Sequence, residues 1–89
     1  MLFVILAKFK KKPTKESIAE NRKLSEKEAK EEGIKDVAVY WTLGKYDAVV
    51  VLEAPNVKAA MKAMIRRREF LSTETLVALP AEEARKLVE

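Results

Sequence analysis

The chain has no cysteine, no histidine and no glutamine, and only two asparagines among its 89 residues. Without cysteine there is no disulfide, no thiolate nucleophile and no cysteine metal site. Without histidine it lacks the commonest general base near neutral pH and the commonest metal ligand. Glycine is nearly as scarce, with Gly33 and Gly44 the only two. No Ser/His/Asp or Cys/His set, phosphate loop or metal-ligand spacing can be assembled from what remains. The expected metals, cofactors and catalytic residues are therefore none. Apolar runs fall far short of the roughly 20 residues that span a bilayer. Met1-Leu2 enters an apolar stretch with no basic segment or cleavage site, so the expected location is cytosolic, with no membrane contact.

What is present is charge. Charged residues make up 36% of the chain, with a net charge of +4. Abundant Lys and Glu with few amides is the bias of proteins from hyperthermophiles. The length suits one domain, residues 1–89, with a single core.

Residues 2–9, LFVILAKF, read as a strand. Lys10 to Pro13 connect it to a helix over residues 14–32, with Thr14 or Ser17 as N-cap; Ser17 and Glu20 have capping-box spacing. Gly33 ends that helix. A second strand runs from Lys35 to Leu43 and a third from Tyr46 to Ala54, stopping at Pro55. Asn56 caps a second helix reaching about Glu69, and Leu71 to Leu79 is a fourth strand. Pro80, with Glu82 and Glu83 early and Arg85 and Lys86 late, suits a short C-terminal helix. The order is βαββαβ plus a helix.

Gly44-Lys45 between Leu43 and Tyr46 predicts a two-residue type II′ turn with positive φ at Gly44. That register sets Thr42 opposite Asp47, Trp41 opposite Ala48 and Tyr40 opposite Val49. Alternation then puts Val37, Val39, Trp41, Leu43, Tyr46, Ala48, Val50 and Leu52 on a core face, and Ala38, Tyr40, Thr42, Asp47, Val49, Val51 and Glu53 on the other.

These residues also carry a resemblance. Gly44-Lys45-Tyr46-Asp47 within YWTLGKYDAVVVLEAP, followed by Ser72-Thr73-Glu74-Thr75-Leu76, resembles the GYD-domain family of small, largely uncharacterised proteins. The chain is more distantly similar to the effector-binding module of feast/famine regulators. Both likenesses imply a ferredoxin-like dimeric α+β barrel. Family members often place Gly before the last strand, whereas this chain has Glu69-Phe70-Leu71.

The element order independently fits an α+β, ferredoxin-like fold: a four-stranded antiparallel sheet with strands one and three central and two helices on one face. Those central strands are apolar on both faces, yet an antiparallel sheet with one solvated face should alternate. Soluble proteins rarely expose so large an apolar patch. The expected partner is a second copy, sheet against sheet, with further assembly open.

Two constellations are candidate sites. The first helix is polar where it should face inward: Ile18, Arg22, Ser25 and Ala29 share a stripe, with Asn21 at its edge. Arg22 either snorkels to the rim or pairs with an acid or anion in a cavity. Asp47 either fixes the hairpin or binds a polar group in a cleft beside Tyr40 and Thr42. Trp41 is expected in the core, as is the stripe Ala60, Met61, Met64 and Ile65. Arg22, Tyr40, Trp41, Thr42 and Asp47 form the candidate ligand set.

Secondly, three connections emerge at one end of the fold, gathering Lys10, Lys11, Lys12, Lys15, Lys45, Arg66, Arg67 and Arg68. They form either an anion-binding patch or a solvated end. The leading expectation is a non-enzymatic, self-associating domain that binds a small molecule at or near its subunit interface. Anion or nucleic-acid binding through the basic end is one alternative. A cofactor-independent enzyme, of the kind some dimeric α+β barrels are, with Asp47 and Tyr40 in its cavity, is the other.

Overall fold

The computed structural model describes residues 1–89. Its elements are β1 (Leu2–Phe9), α1 (Lys15–Glu32), β2 (Lys35–Trp41), β3 (Ala48–Glu53), α2 (Val57–Arg66), β4 (Leu71–Ala78) and α3 (Ala81–Arg85), with a 3-10 turn over Lys86–Val88. The four strands form one antiparallel sheet in the order β2-β3-β1-β4. The two strands without a polar face are indeed the central ones, and the architecture is α+β and ferredoxin-like.

One sheet face is covered by the helices. Phe3, Ile5 and Ala7 of β1 and Ala48 and Leu52 of β3 are buried there, with Ile34, Ala54 and the α2 residues Ala60 and Ala63. The side chains that α2 buries against this core are small, Ala60 and Ala63. Burying Phe3 or Ile5 stabilises the fold by roughly 1.5–3 kcal/mol each. Met64 is only partly buried, while Met61 and Ile65 are more than half and about half exposed, so the expected core stripe is rotated toward the alanines.

The expected caps Thr14, Gly33 and Asn56 are in place, whereas the capping box pairs Thr14 with Ser17 instead of Ser17 with Glu20 and α2 ends at Arg66 rather than near Glu69. Thr14, not Ser17, caps α1: its hydroxyl accepts from the Ser17 N–H at 3.1 Å, and its own N–H donates to Ser17 Oγ at 2.8 Å. Capping one turn earlier satisfies free N–H groups that a Ser17 cap would leave outside the helix. Gly33 closes the helix at φ 68°, a left-handed conformation that suits glycine. Asn56 caps α2 through Ala59 N–H at 2.9 Å.

The hairpin between β2 and β3 keeps the expected register from Val39 to Trp41 but not the expected turn. The Thr42 N–H donates to the Asp47 carbonyl at 2.8 Å and the Thr42 hydroxyl to the Tyr46 carbonyl at 2.7 Å. These bonds close a four-residue loop, Leu43 to Tyr46, in place of a two-residue one, so Leu43 and Tyr46 leave the expected core face and Leu43 is fully exposed. Gly44 still takes a positive φ, 108°. At the other end of β2 the register shifts between Asp36 and Ala38, a bulge at Val37. Asp36 thereby pairs with Leu52 and joins the covered face, while Val37, expected there, is mostly exposed.

Candidate functional site

The longer helix stands off from the sheet. Of the 18 residues in α1 only Glu28 is buried. Between α1 and the sheet lies a cleft of about 660 Å³. Ala7, Phe9, Val39, Trp41, Ala48 and Val50 of the sheet line it, and Ser17, Ile18, Asn21, Arg22 and Ser25 of α1 face them. Lys11 and Lys12 border it where β1 hands over to α1, and Asp36 lines it from the bulge.

Trp41 was expected in the core and is instead 60% exposed, although it points to the covered face. The reason is the helix opposite: α1 presents Asn21 and Ser25 rather than large apolar groups, so nothing fills the gap above this edge strand. The ring meets Phe9 edge-on, with centroids 5.1 Å apart and planes at 62°. An exposed tryptophan beside a half-buried phenylalanine on a concave floor, with a few polar groups opposite, suits a small-molecule site.

One wall of the cleft is held by a buried ion pair. Arg67 donates to both oxygens of Glu28, at 2.9 and 2.8 Å, to Asn21 Oδ1 at 2.8 Å, to Ser25 Oγ at 3.2 Å and to the Ala63 carbonyl at 2.8 Å. All five guanidinium N–H donors are thus used. Arg66 adds bonds to Glu28 at 2.9 Å and Glu32 at 2.7 Å. Burial pushes the Glu28 carboxyl up, but the hydrogen bonds and charges of Arg67 and Arg66 outweigh it and hold the group below its usual value. Burial raises Asp36, the nearby Arg67 charge opposes the rise and Glu28 adds to it.

This network explains the polar inner face of α1 and corrects its phase. The stripe turned inward is Asn21, Ser25 and Glu28; Ile18, Arg22 and Ala29 are largely exposed. A buried guanidinium needs acceptors on the facing helix, and these three supply them. Glu28 and Asp36 escaped the sequence reading. The polar i, i+4, i+7 spacing of Asn21, Ser25 and Glu28 was a signal for the first; a bulge leaves none for the second.

The residues Gly44 to Asp47 sit beside the cleft, at the hairpin. The Asp47 carboxylate accepts from the Phe9 N–H at 2.8 Å and the Asp47 N–H donates to the Ala7 carbonyl at 2.8 Å, tying β3 to the end of β1. The Tyr46 hydroxyl donates to Glu74 at 2.6 Å, which raises its pKa above the ordinary tyrosine value. The family profile of the GYD domain matches residues 3–88 of this chain, nearly its whole length. The chain belongs to the GYD domain family. No curated protein matches it.

In this GYD domain the residues of the motif are thus engaged in structure: Gly44 supplies the positive φ, Tyr46 reaches β4, and Asp47 joins two strands. Of the candidate ligand set, Arg22 and Trp41 meet at the cleft. Tyr40 lies on the open sheet face, Thr42 bonds within the loop, and Asp47 sends its carboxylate to β1 while only its backbone carbonyl closes the turn. The basic end is dispersed in the same way. Arg67 is buried, Arg66 is paired with Glu28 and Glu32, and Lys10 donates to the Arg68 carbonyl at 2.7 Å. Lys45 lies over the Tyr46 ring at 5.6 Å. Lys11 and Lys12 turn to the cleft, Lys10 and Arg68 to a groove beside α2, and Lys15 to solvent. Successive residues at the end of a helix point about 100° apart, so Arg66, Arg67 and Arg68 cannot share one surface.

Proposed function

We propose that this GYD domain is a non-enzymatic, self-associating module that binds a small organic molecule in the cleft between α1 and the sheet. What carries this is Trp41: a large aromatic ring on the covered face, more than half exposed, flooring a cavity of about 660 Å³. Sites for small ligands commonly measure about 300–1,000 Å³ and combine an apolar lining with a few polar groups. The ligand that fits has a flat apolar body, to lie on Phe9, Val39 and Trp41, and a polar end within reach of Arg22, Ser25 or Asp36. Arg22 makes no ion pair within the chain, so its guanidinium is free for that end.

Self-association follows from the opposite face of the sheet. Leu2, Val4 and Leu6 of β1, Val49 and Val51 of β3 and Leu76 of β4 share it by register, and no helix covers them. A second copy seated there removes the apolar area from water. Sedimentation at micromolar concentration should give about twice the 10.1 kDa chain mass, and Val51→Asp should return it to the monomer or abolish soluble expression.

Trp41 is the only tryptophan, so its emission reports on the cleft directly. Compounds with an apolar body and a polar end should shift that emission saturably. Arg22→Ala should weaken the binding about tenfold or more, since a hydrogen bond from a charged donor is worth about 1.5–3 kcal/mol. Tyr40→Ala, on the other face, should leave it unchanged. Binding indifferent to Arg22, or an emission that no such compound alters, would refute the proposal.

A further inference from the structure

The exposed side of α2 matches a segment elsewhere in the chain. Val57, Met61 and Ile65 follow one another at intervals of four residues, and each is about half exposed or more. With Val77 of the edge strand β4 they wall a groove of about 440 Å³. Its charged lining is Lys10 and Arg68, with no acidic side chain. The helix itself contains no acid, and Lys58 and Lys62 stand exposed along its flank. A groove of this kind takes an apolar ridge carried on an acidic segment.

The residues after β4 have that make-up. From Leu79 through Glu89 every residue is exposed, including Leu79 at 57%, Leu87 at 75% and Val88 at 86%. Glu82, Glu83 and Glu89 stand against Arg85 and Lys86, leaving this segment acidic where the groove is basic. A five-residue helix followed by a 3-10 turn is far too short to hold its shape alone in water. Pro80, at φ −56° and ψ 142°, carries the backbone onward in an extended conformation, and the chain's own groove stays unfilled.

We infer that the segment Leu79–Glu89 of one copy docks in the groove between α2 and β4 of a second copy, with Leu87 and Val88 inserted among Val57, Met61 and Ile65. Glu82 and Glu83 then meet the cations along the groove. The contact is reciprocal, each copy lending its segment to the other. It depends neither on a ligand in the cleft nor on pairing through the open sheet face.

The chain contains no cysteine, so introduced thiols have no competitors. Met61→Cys and Leu87→Cys are placed in separately tagged full-length chains, refolded together and oxidised. Docking in a second copy predicts the mixed disulfide in excess over both same-variant disulfides by about tenfold, because docking raises the effective concentration of that thiol pair alone. It also predicts that the double variant closes into a covalent dimer. A statistical mixture of the three disulfides, or no disulfide, overturns the inference. A disulfide-closed monomer from the double variant also overturns it, by showing that the segment folds back onto its own groove. Both side chains are exposed within one chain, so each single variant should keep the parent's far-UV circular dichroism, which checks that the fold is intact before oxidation.

Discussion

Replacing Glu28 by alanine removes the acceptor that faces Arg67 inside the protein. The two side chains are only 3% and 7% exposed, so solvent cannot take over the lost bonds. Three of the five Arg67 donors keep an acceptor, in Asn21, Ser25 and Ala63, and two are orphaned. Breaking a buried pair on one side costs about 3–5 kcal/mol, much of it the penalty of an uncompensated charge. The half-exposed Arg66 contact adds little after solvent screening. A domain of this length has roughly 4–13 kcal/mol of total stability, so the loss is a large share of it. Urea denaturation followed by far-UV circular dichroism, at one fixed protein concentration, measures it. The melting temperature should fall by about 12 °C or more. A double variant, Glu28→Met with Arg67→Met, should recover most of the loss, because the desolvation cost disappears with both charges. If Glu28→Ala costs less than about 1 kcal/mol, or if the double variant is worse than the single one, the buried pair is not what holds α1 to α2.

Acid should act through the same carboxylate. Its folded pKa is depressed, so its contribution is complete above the ordinary value of 4.5 and is lost as pH falls through the lower folded value. Asp36 behaves oppositely: its folded pKa is raised, so its ionised form costs stability above that value and the cost fades as pH falls toward 3.8. Asp36 keeps solvent access, so Asp36→Asn is expected to raise the melting temperature only slightly at pH 7 and to lose that advantage below about pH 4 in a pH series. Gly44→Val should cost roughly 1–3 kcal/mol in chemical denaturation, entirely from the backbone at φ 108°, since no atom lies within 4 Å of an added Cβ. Because the eight cations near the hairpin end do not share one surface, oligonucleotides should bind feebly even at about 20 mM salt; tight binding that falls steeply with salt would contradict this.

Strand order was legible because it depends on which strands are apolar on both faces, and LFVILAKF and AVVVLE announce that in their own residues. The positive φ at Gly44 was equally local. Less visible was anything set by distance between elements. Trp41 read as core because its face is correct; whether it is covered depends on how far α1 stands from the sheet. Asp47 read as a turn residue, but its carboxylate bonds Phe9, 38 positions away. Arg66 to Arg68 read as one patch because they are adjacent, and helical geometry sends one to Glu32, one inward and one to the groove. A single extra residue at Val37 moved Asp36 to the opposite face, and no composition rule marks a bulge.

The most direct test of a ligand in the cleft is native mass spectrometry of the protein as isolated, beside the same sample denatured. The native spectrum should carry an added mass of small-molecule size for each chain, absent after denaturation. Arg22→Ala combined with Trp41→Ala should lose it, while Tyr40→Ala retains it. A native mass that is a whole multiple of the denatured chain mass, with nothing added after incubation with a mixed metabolite extract, or an adduct retained by the Arg22 and Trp41 variant, would contradict the account.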